Sequence, residues 1–196
     1  MVKRLSFFLL TIIVLISLYL SVFELLLYSF HSPLGNTIKN PTLQEATWTY
    51  LIHQKYMGFI ELDTYTIYEK RHLLDVKKVF EKTYDLWIIF TLLSVVILLF
   101  FFKKIIKSVI ALGISINILL IVFSLNFIKS FELFHNLFFK NNSWIFSNDS
   151  LLIQLFPLHY FQEFFILLLL LTFSIFILLY MYRYLNAKNS TLFTIT

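Results

Sequence analysis

Residues 131–157 read FELFHNLFFKNNSWIFSNDSLLIQLFP, and this stretch lies between two long apolar segments of the chain. It contains charged and amide side chains, which make it too polar to cross a bilayer. It also contains six phenylalanines and one tryptophan, which make it too apolar for a fully solvated loop. We therefore expect it to lie on the membrane surface, where a titratable side chain can meet a lipid head group.

The composition is that of a membrane protein. The 196 residues are 59% hydrophobic and 14% charged, with a mean hydropathy of +0.82, whereas soluble domains are about 25% charged. The absence of cysteine excludes disulfides and thiolate chemistry. The chain has only three glycines and no GxGxxG or P-loop motif, so we expect no nucleotide. Any chemistry must come from histidines, carboxylates, hydroxyls or backbone groups.

Four apolar segments predict an all-α membrane protein with four transmembrane helices and an extracellular cap formed by the two long outer loops. The prediction is a single membrane domain, 1–196, with spans at about 5–27, 86–102, 109–127 and 161–182 and a cap built from 29–84 and 128–160. The first segment is interpreted as a retained span, because its apolar core is too long for a signal peptide and no small-x-small cleavage site follows it. A tight turn is expected after Lys103 and Lys104.

The first outer loop carries two helix signals. Residues 42–59, TLQEATWTYLIHQKYMGF, predict a short helix of mixed polarity. Residues 66–69, TIYE, have the S/T-x-x-E form of a capping box, which predicts that a second helix begins near Ile67.

The basic residues predict the orientation in the membrane. Cytoplasmic ends would hold seven positive charges and no acid: Lys3, Arg4, Lys103, Lys104, Lys107, Arg183 and Lys188. The outer loops and span ends then hold nine basic and eleven acidic residues, a net of −2, and +7 − 2 gives the formal net charge of +5. The positive charge therefore reports topology, and no nucleic-acid partner is expected.

The candidate chemistry lies in five histidines, all of which fall outside or at the outer interface: His31, His53, His72, His135 and His159. Glu69 and Asp75 stand three residues to either side of His72, so either carboxylate can share its helix face and fix its tautomer. The alternative is an ordinary surface cluster of charges. His135 stands among phenylalanines, and the alternative there is an interfacial histidine that reaches toward water.

Two other kinds of site are disfavoured. No two histidines stand at i, i+3 or i, i+4 spacing, so a zinc site lacks its usual local pair. No GxSxG motif is present for a serine hydrolase. Tyr50 is interpreted either as part of the site or as a residue of the interfacial aromatic belt.

Two segments together resemble one family. They are EKRHLLDVKKVF at 69–80, and FHNLFFKNNSWIF at 134–146 followed by LIQLFP at 152–157. Their H-x-x-D-V and FH-x-x-F-F…N-x-x-W patterns, with the four-span plan and the loop sizes, resemble the lipoprotein intramolecular transacylase (Lit) family of bacterial membrane proteins.

The resemblance implies an acyltransferase in the bacterial cell membrane, with cytoplasmic termini and its active site on the outer face. Such an enzyme moves the sn-2 acyl chain of a diacylglyceryl lipoprotein onto the α-amine of its N-terminal cysteine, giving a lyso-form lipoprotein. Diacylated lipoproteins and membrane lipid are the implied partners, with no cofactor and no metal. The implied catalytic residues are His72 and His135. Residues expected to bind or orient the substrate are Asp75, Asn142, Trp144, Phe134, Phe138 and Tyr50.

Histidine chemistry fits this reaction. An α-amine has a pKa of about 7.7–8.0 and must lose a proton before it attacks an ester. One histidine can accept that proton, and the second can assist the oxyanion and the departing glyceryl oxygen. We expect His72 to be the base, because Glu69 and Asp75 are near it. Two alternatives remain: a non-enzymatic membrane scaffold or chaperone with an aromatic partner-binding cap, and acyl transfer from free phospholipid.

Overall fold

The computed structural model describes residues 2–32, 40–52, 64–140 and 142–192, with side chains from residue 5 to residue 187 within those ranges. These residues form helices and no strand. In chain order the helices are α1 (Val2–Ser29), α2 (Pro41–Ile52), α3 (Ile67–Ser124), α4 (Phe127–Phe138), α5 (Leu151–Leu155) and α6 (Leu158–Leu192). The all-α prediction is confirmed for this part of the chain.

Three helices in the described residues are long and apolar enough to cross a membrane: Leu5–Ser29, Ile67–Ser124 and Leu158–Ala187. Their outward-facing leucine, isoleucine and phenylalanine side chains remain largely exposed, as expected for surfaces that lipid covers. The chain is therefore a multi-pass membrane protein.

The helix signals of residues 42–69 agree with the structure where it is described. Helix α2 covers the first part of the predicted mixed-polarity helix, and the rest of that prediction, including His53, lies outside the described residues. The capping box is confirmed: Glu69 N–H donates to Thr66 Oγ1 over 3.3 Å, and Thr66 N–H donates to Glu69 Oε2 over 2.8 Å. Helix α3 begins at Ile67.

Helix α3 differs from the prediction, because the segment assigned to the cap and the second and third spans form one 58-residue helical stretch. The stretch is not straight. Ser17 of α1 lies 3.3 Å from Thr91 through their hydroxyls, while Tyr19, two residues further on, donates 2.9 Å to Asn117 Oδ1. In a straight helix Thr91 and Asn117 would be about 39 Å apart. The chain must therefore reverse its direction between these two residues.

The described residues group into two compact units. The first contains 1–22, 87–122 and 168–196, and the second contains 23–86 and 123–167. Helices α1, α3 and α6 each contribute residues to both units, so this grouping does not decide the prediction of a single membrane domain.

The first unit is held together by an apolar core and one buried polar cluster. Phe176 is fully buried, and a Cβ atom added to Gly113 would overlap its ring. Asn117 Oδ1 accepts hydrogen bonds from Tyr19 Oη and from Thr172 Oγ1, at 2.9 and 3.0 Å. These bonds join α1, α3 and α6 where small side chains allow close approach.

The second unit has an aromatic core around Trp48 of α2. The Trp48 indole N–H donates 2.8 Å to the His31 carbonyl, and the two rings stack with centroids 5.2 Å apart. Tyr160 donates 2.8 Å to the Phe30 carbonyl. His31 therefore has a structural role at the end of α1.

Candidate active site

His72 and His135 lie next to each other in the second unit, although 63 residues separate them in the chain (135 − 72). His72 projects from the second turn of α3 and His135 from the third turn of α4. Their ring centroids are 6.4 Å apart, and the ring planes differ by 26°. Both side chains are buried, with 7% and 8% of their surfaces exposed.

Aromatic rings surround the two imidazoles. Phe139 contacts both, with centroids 4.8 Å from His72 and 5.5 Å from His135. Phe146 lies 5.5 Å from His72, and Phe131 lies 3.9 Å from His135. These three rings are absent from the predicted site residues. The spacing of Phe131, His135 and Phe139, each four residues apart on one helix face, is the sequence signal that identifies two of them.

The hydrogen bonds of the two histidines differ. His135 Nδ1 lies 2.8 Å from the Phe131 carbonyl oxygen. Since a carbonyl only accepts, Nδ1 carries the proton, and Nε2 of the neutral ring keeps its lone pair. His72 Nδ1 is buried and has no hydrogen-bond partner among the described residues. Most buried side-chain polar atoms have a hydrogen-bond partner, so this nitrogen is a candidate functional atom. If it carries the lone pair, no buried N–H group is left without an acceptor.

Burial lowers the pKa of both histidines below the ordinary value of 6.5. The pKa of His72 falls to about 4, because burial penalises the imidazolium and because His135 repels a second positive charge, while Asp75 acts in the opposite direction. Burial also lowers the pKa of His135, partly opposed by its bond to Phe131. The pair is therefore neutral at pH 7, the state in which imidazole accepts a proton.

Glu69 does not hold His72, contrary to the predicted role of this carboxylate. Its Oε2 accepts from the N–H and hydroxyl of Thr66, and its Oε1 accepts 3.0 Å from the backbone N–H of Leu152. Burial alone would raise the pKa of Glu69, but bonds from Leu152, Thr66 and Ser150 outweigh it and lower the pKa. Glu69 thus ties the start of α3 to the start of α5, 83 residues away.

The other predicted site residues lie at different distances from the histidines. Trp144 contacts the His135 ring at 4.9 Å and donates 3.2 Å to Asn136 Oδ1. Phe134, half-exposed, is 5.6 Å from His135, and Phe138 contacts Phe134 at 4.7 Å.

The remaining three predicted residues contact other parts of the unit. Asp75 faces Lys78 at 3.7 Å. Asn142 is exposed and has a left-handed φ of 54°, a conformation that asparagine tolerates better than most residues. Tyr50 is buried in the aromatic core, where Lys77 Nζ donates 2.6 Å to its carbonyl.

A groove of about 1050 Å³ adjoins the histidine pair. An exposed stripe of α3 forms one wall, and the segment from Phe138 to Leu151 forms the other. Phe139 and Phe146, which contact the His72 ring, also line this groove. No group of three or more histidine, aspartate or glutamate residues among the described residues is placed to hold a metal ion.

The fold and the site define a multi-pass, all-helical membrane protein with a buried pair of neutral histidines in an aromatic enclosure. A family model described as lipoprotein intramolecular transacylase Lit matches residues 3–161. The chain therefore belongs to the Lit family, as the sequence motifs predict. A search of curated proteins gave no match.

Solved structures show the same fold. The in meso structure of the membrane integral Lit from Bacillus cereus is 24% identical, covers 97% of this chain and 98% of its own, and gives a TM-score of 0.81. Structures of two variants of that protein, with one histidine replaced by arginine or by alanine, are also 24% identical. They cover 96% of this chain and 96% and 97% of their own, with TM-scores of 0.65 and 0.68.

Proposed function

We propose that this chain is an intramolecular transacylase that moves the sn-2 acyl chain of a diacylglyceryl lipoprotein onto the α-amine of its N-terminal cysteine. The observation that carries the proposal is the juxtaposition of His72 and His135, two buried neutral imidazoles with ring centroids 6.4 Å apart. Membership of the Lit family supports the reaction class. The product is a lyso-form lipoprotein with an N-acyl group.

His135 is the proposed base, which reverses the expectation drawn from the residues beside His72. The bond from His135 Nδ1 to the Phe131 carbonyl leaves Nε2 as the proton acceptor. The amine first loses a proton to solvent and then attacks the ester carbonyl carbon. His135 Nε2 takes the second proton from the attacking nitrogen and returns it to the glyceryl oxygen as the ester bond breaks. Atoms and charge balance, because one N–H is exchanged for one O–H.

His72 is proposed to stabilise the oxyanion of the tetrahedral intermediate. If its buried Nδ1 carries the lone pair, its Nε2 carries the hydrogen and can donate to developing negative charge. A pKa of about 4 keeps His72 neutral during turnover.

The aromatic enclosure supports transfer over hydrolysis. The rings of Phe131, Phe139 and Phe146 pack against the imidazoles and reduce the access of water to the ester. Because nucleophile and ester belong to one molecule, holding them face to face supplies much of the acceleration; effective molarities in such reactions reach roughly 10⁵–10⁸ M.

Substitution of the histidines tests the mechanism. A synthetic diacylglyceryl-cysteine peptide with an isotope-labelled sn-2 chain is incubated with His72→Asn, His135→Asn and His159→Asn proteins in proteoliposomes. Tandem mass spectrometry then locates the label on the glycerol or on the amine. We expect the first two variants to lose about 10²–10⁴-fold in rate while the His159 control stays active. Full activity in either the His72 or the His135 variant would contradict the two-histidine mechanism.

The proposed topology has four spans, cytoplasmic termini and an extracellular cap. The reversal of α3 supports a hairpin of two spans within the long helical stretch, and the sorted basic residues support the orientation. The chain has no cysteine, so Asn148→Cys and Lys107→Cys each introduce a single reactive thiol. An impermeant maleimide should label the first and not the second in intact cells. The reverse pattern would refute the orientation.

A further inference from the structure

The groove beside the histidine pair carries an excess of exposed cations. Arg71, Lys78 and Lys82 lie along one stripe of α3, at spacings of seven and four residues, and Lys140 lies on the opposite wall. All four are exposed. The acidic residues that line the groove are Asp75, Asp149 and Glu69. Glu69 is buried and bonded to Thr66 and Leu152, and Asp75 lies 3.7 Å from Lys78. The lining therefore carries four cations and three carboxylates, a formal net charge of +1 (4 − 3).

The proposed reaction requires an exit for the polypeptide. The reacting amine and the lipid both belong to the N-terminal cysteine. The rest of the polypeptide continues from the carbonyl of that cysteine, so it must extend out of the histidine site. Phe139 and Phe146 contact His72 on one side and line the groove on the other. The groove is thus the neighbouring open space, and its volume of about 1050 Å³ is at the upper end for small-molecule pockets.

We infer that this groove binds the polypeptide segment that follows the lipidated cysteine and prefers acidic side chains there. The inference rests on the proposed function and adds a specificity site to it. Short polar side chains in the walls, such as the exposed Ser147, offer hydrogen bonds to a peptide backbone. The excess of cations supplies the charge preference.

A membrane phosphate is the competing occupant, and the groove suits it less well. Asp75 and Asp149 lie in the same groove as the cations. They repel any anion, but a peptide offers them backbone N–H donors, whereas a phosphate diester offers none. A peptide carries donors and acceptors along its backbone, and it can pair carboxylates with Lys82 and Lys140 while its amides contact the serines. Groove binding is therefore assigned to the substrate's own chain.

The test compares three synthetic diacylglyceryl-cysteine substrates with wild-type protein in neutral-lipid proteoliposomes. One substrate ends after the cysteine amide, one continues with four residues that include two aspartates, and one has two lysines in their place. We expect kcat/KM for the acidic tail to exceed that for the basic tail by about ten-fold at low salt, since each exposed pair contributes roughly 1.4- to 5-fold. The ratio should fall toward one at 0.5 M salt.

Charge reversal adds a second measurement. The double variant Lys82→Glu/Lys140→Glu should invert the acidic-over-basic preference, whereas Lys129→Glu, an exposed lysine of α4 outside the groove, should keep it. Equal conversion of both tails by the wild type would overturn the groove inference and leave the transacylase function standing. No conversion of any substrate would overturn both.

Anionic lipid provides the last comparison. Proteoliposomes with and without 30% phosphatidylglycerol are tested with both tails. If anionic lipid removes the wild-type preference for the acidic tail by competing for the cations, and the rate of the double variant does not respond to this lipid, the groove binds membrane phosphates and the inference is wrong. An unchanged tail preference in the presence of this lipid supports the peptide.

Discussion

Replacement of Glu69 by alanine tests whether the link between α3 and α5 holds the site together. The wild-type carboxylate accepts hydrogen bonds at 2.8 Å from the Thr66 N–H, 2.8 Å from the Thr66 hydroxyl and 3.0 Å from the Leu152 N–H, and Ser150 is a further partner. The bond from Leu152 is buried. A hydrogen bond to a charged group contributes roughly 1.5–3 kcal/mol, so the local opening of the α5 region should become easier by that amount.

Hydrogen exchange measures this change directly. A loss of roughly 1.5–3 kcal/mol predicts that the Leu152 amide exchanges about 13- to 160-fold faster in Glu69→Ala, because 1.36 kcal/mol corresponds to ten-fold. Mass spectrometry of peptides that cover 146–156 in detergent micelles reports it. Glu132→Ala is the matched control, since Glu132 is an exposed glutamate of α4 in the same unit. Unchanged protection of Leu152 in Glu69→Ala would refute the reasoning.

The remaining predictions concern pH and the membrane bundle. The pKa of His72 falls from 6.5 to about 4 on folding. Its contribution to the free energy of unfolding is therefore fully present above pH 6.5 and is lost as the pH drops toward 4, by up to about 3 kcal/mol. His72→Gln should flatten this part of the profile of unfolding temperature against pH, and identical profiles would contradict the expectation. Gly113→Ala should destabilise the bundle by about 1–3 kcal/mol because the new methyl overlaps the Phe176 ring, and an unchanged unfolding temperature would show that the ring moves freely. Asn117→Leu should lower the unfolding temperature measured by circular dichroism, because the hydroxyls of Tyr19 and Thr172 lose the oxygen to which they donate. Each lost bond should cost about 0.6 kcal/mol.

The local pattern of the chain predicts the helices and the candidate histidines. The capping box at Thr66 and Glu69 places the start of α3 correctly, because the two residues that form it are three apart and need no tertiary partner. The long apolar runs identify a membrane protein for the same reason. The predicted boundary between the second and third spans is less accurate. The chain reverses direction there, but its residues stay helical throughout α3.

The partners of the individual side chains are where local reasoning fails. Glu69 stands three residues from His72, which predicts a shared helix face and a hydrogen bond. In the folded chain the carboxylate accepts from other donors, which are the N–H and hydroxyl of Thr66 and the N–H of Leu152. Glu69 is one of the two carboxylates on which the expectation of His72 as the base rests. Because the bond from His135 Nδ1 to the Phe131 carbonyl leaves Nε2 free to accept a proton, His135 is the proposed base instead.

The sequence by itself determined the class of protein, the start of α3 and the family, because hydropathy, capping and motif spacing are properties of neighbouring residues. Only the tertiary structure decided that His72 and His135 share one aromatic enclosure, and that Glu69 bonds Leu152. These contacts join residues 63 (135 − 72) and 83 positions apart. Their formation depends on how α3, α4 and α5 pack together, and no local spacing specifies it.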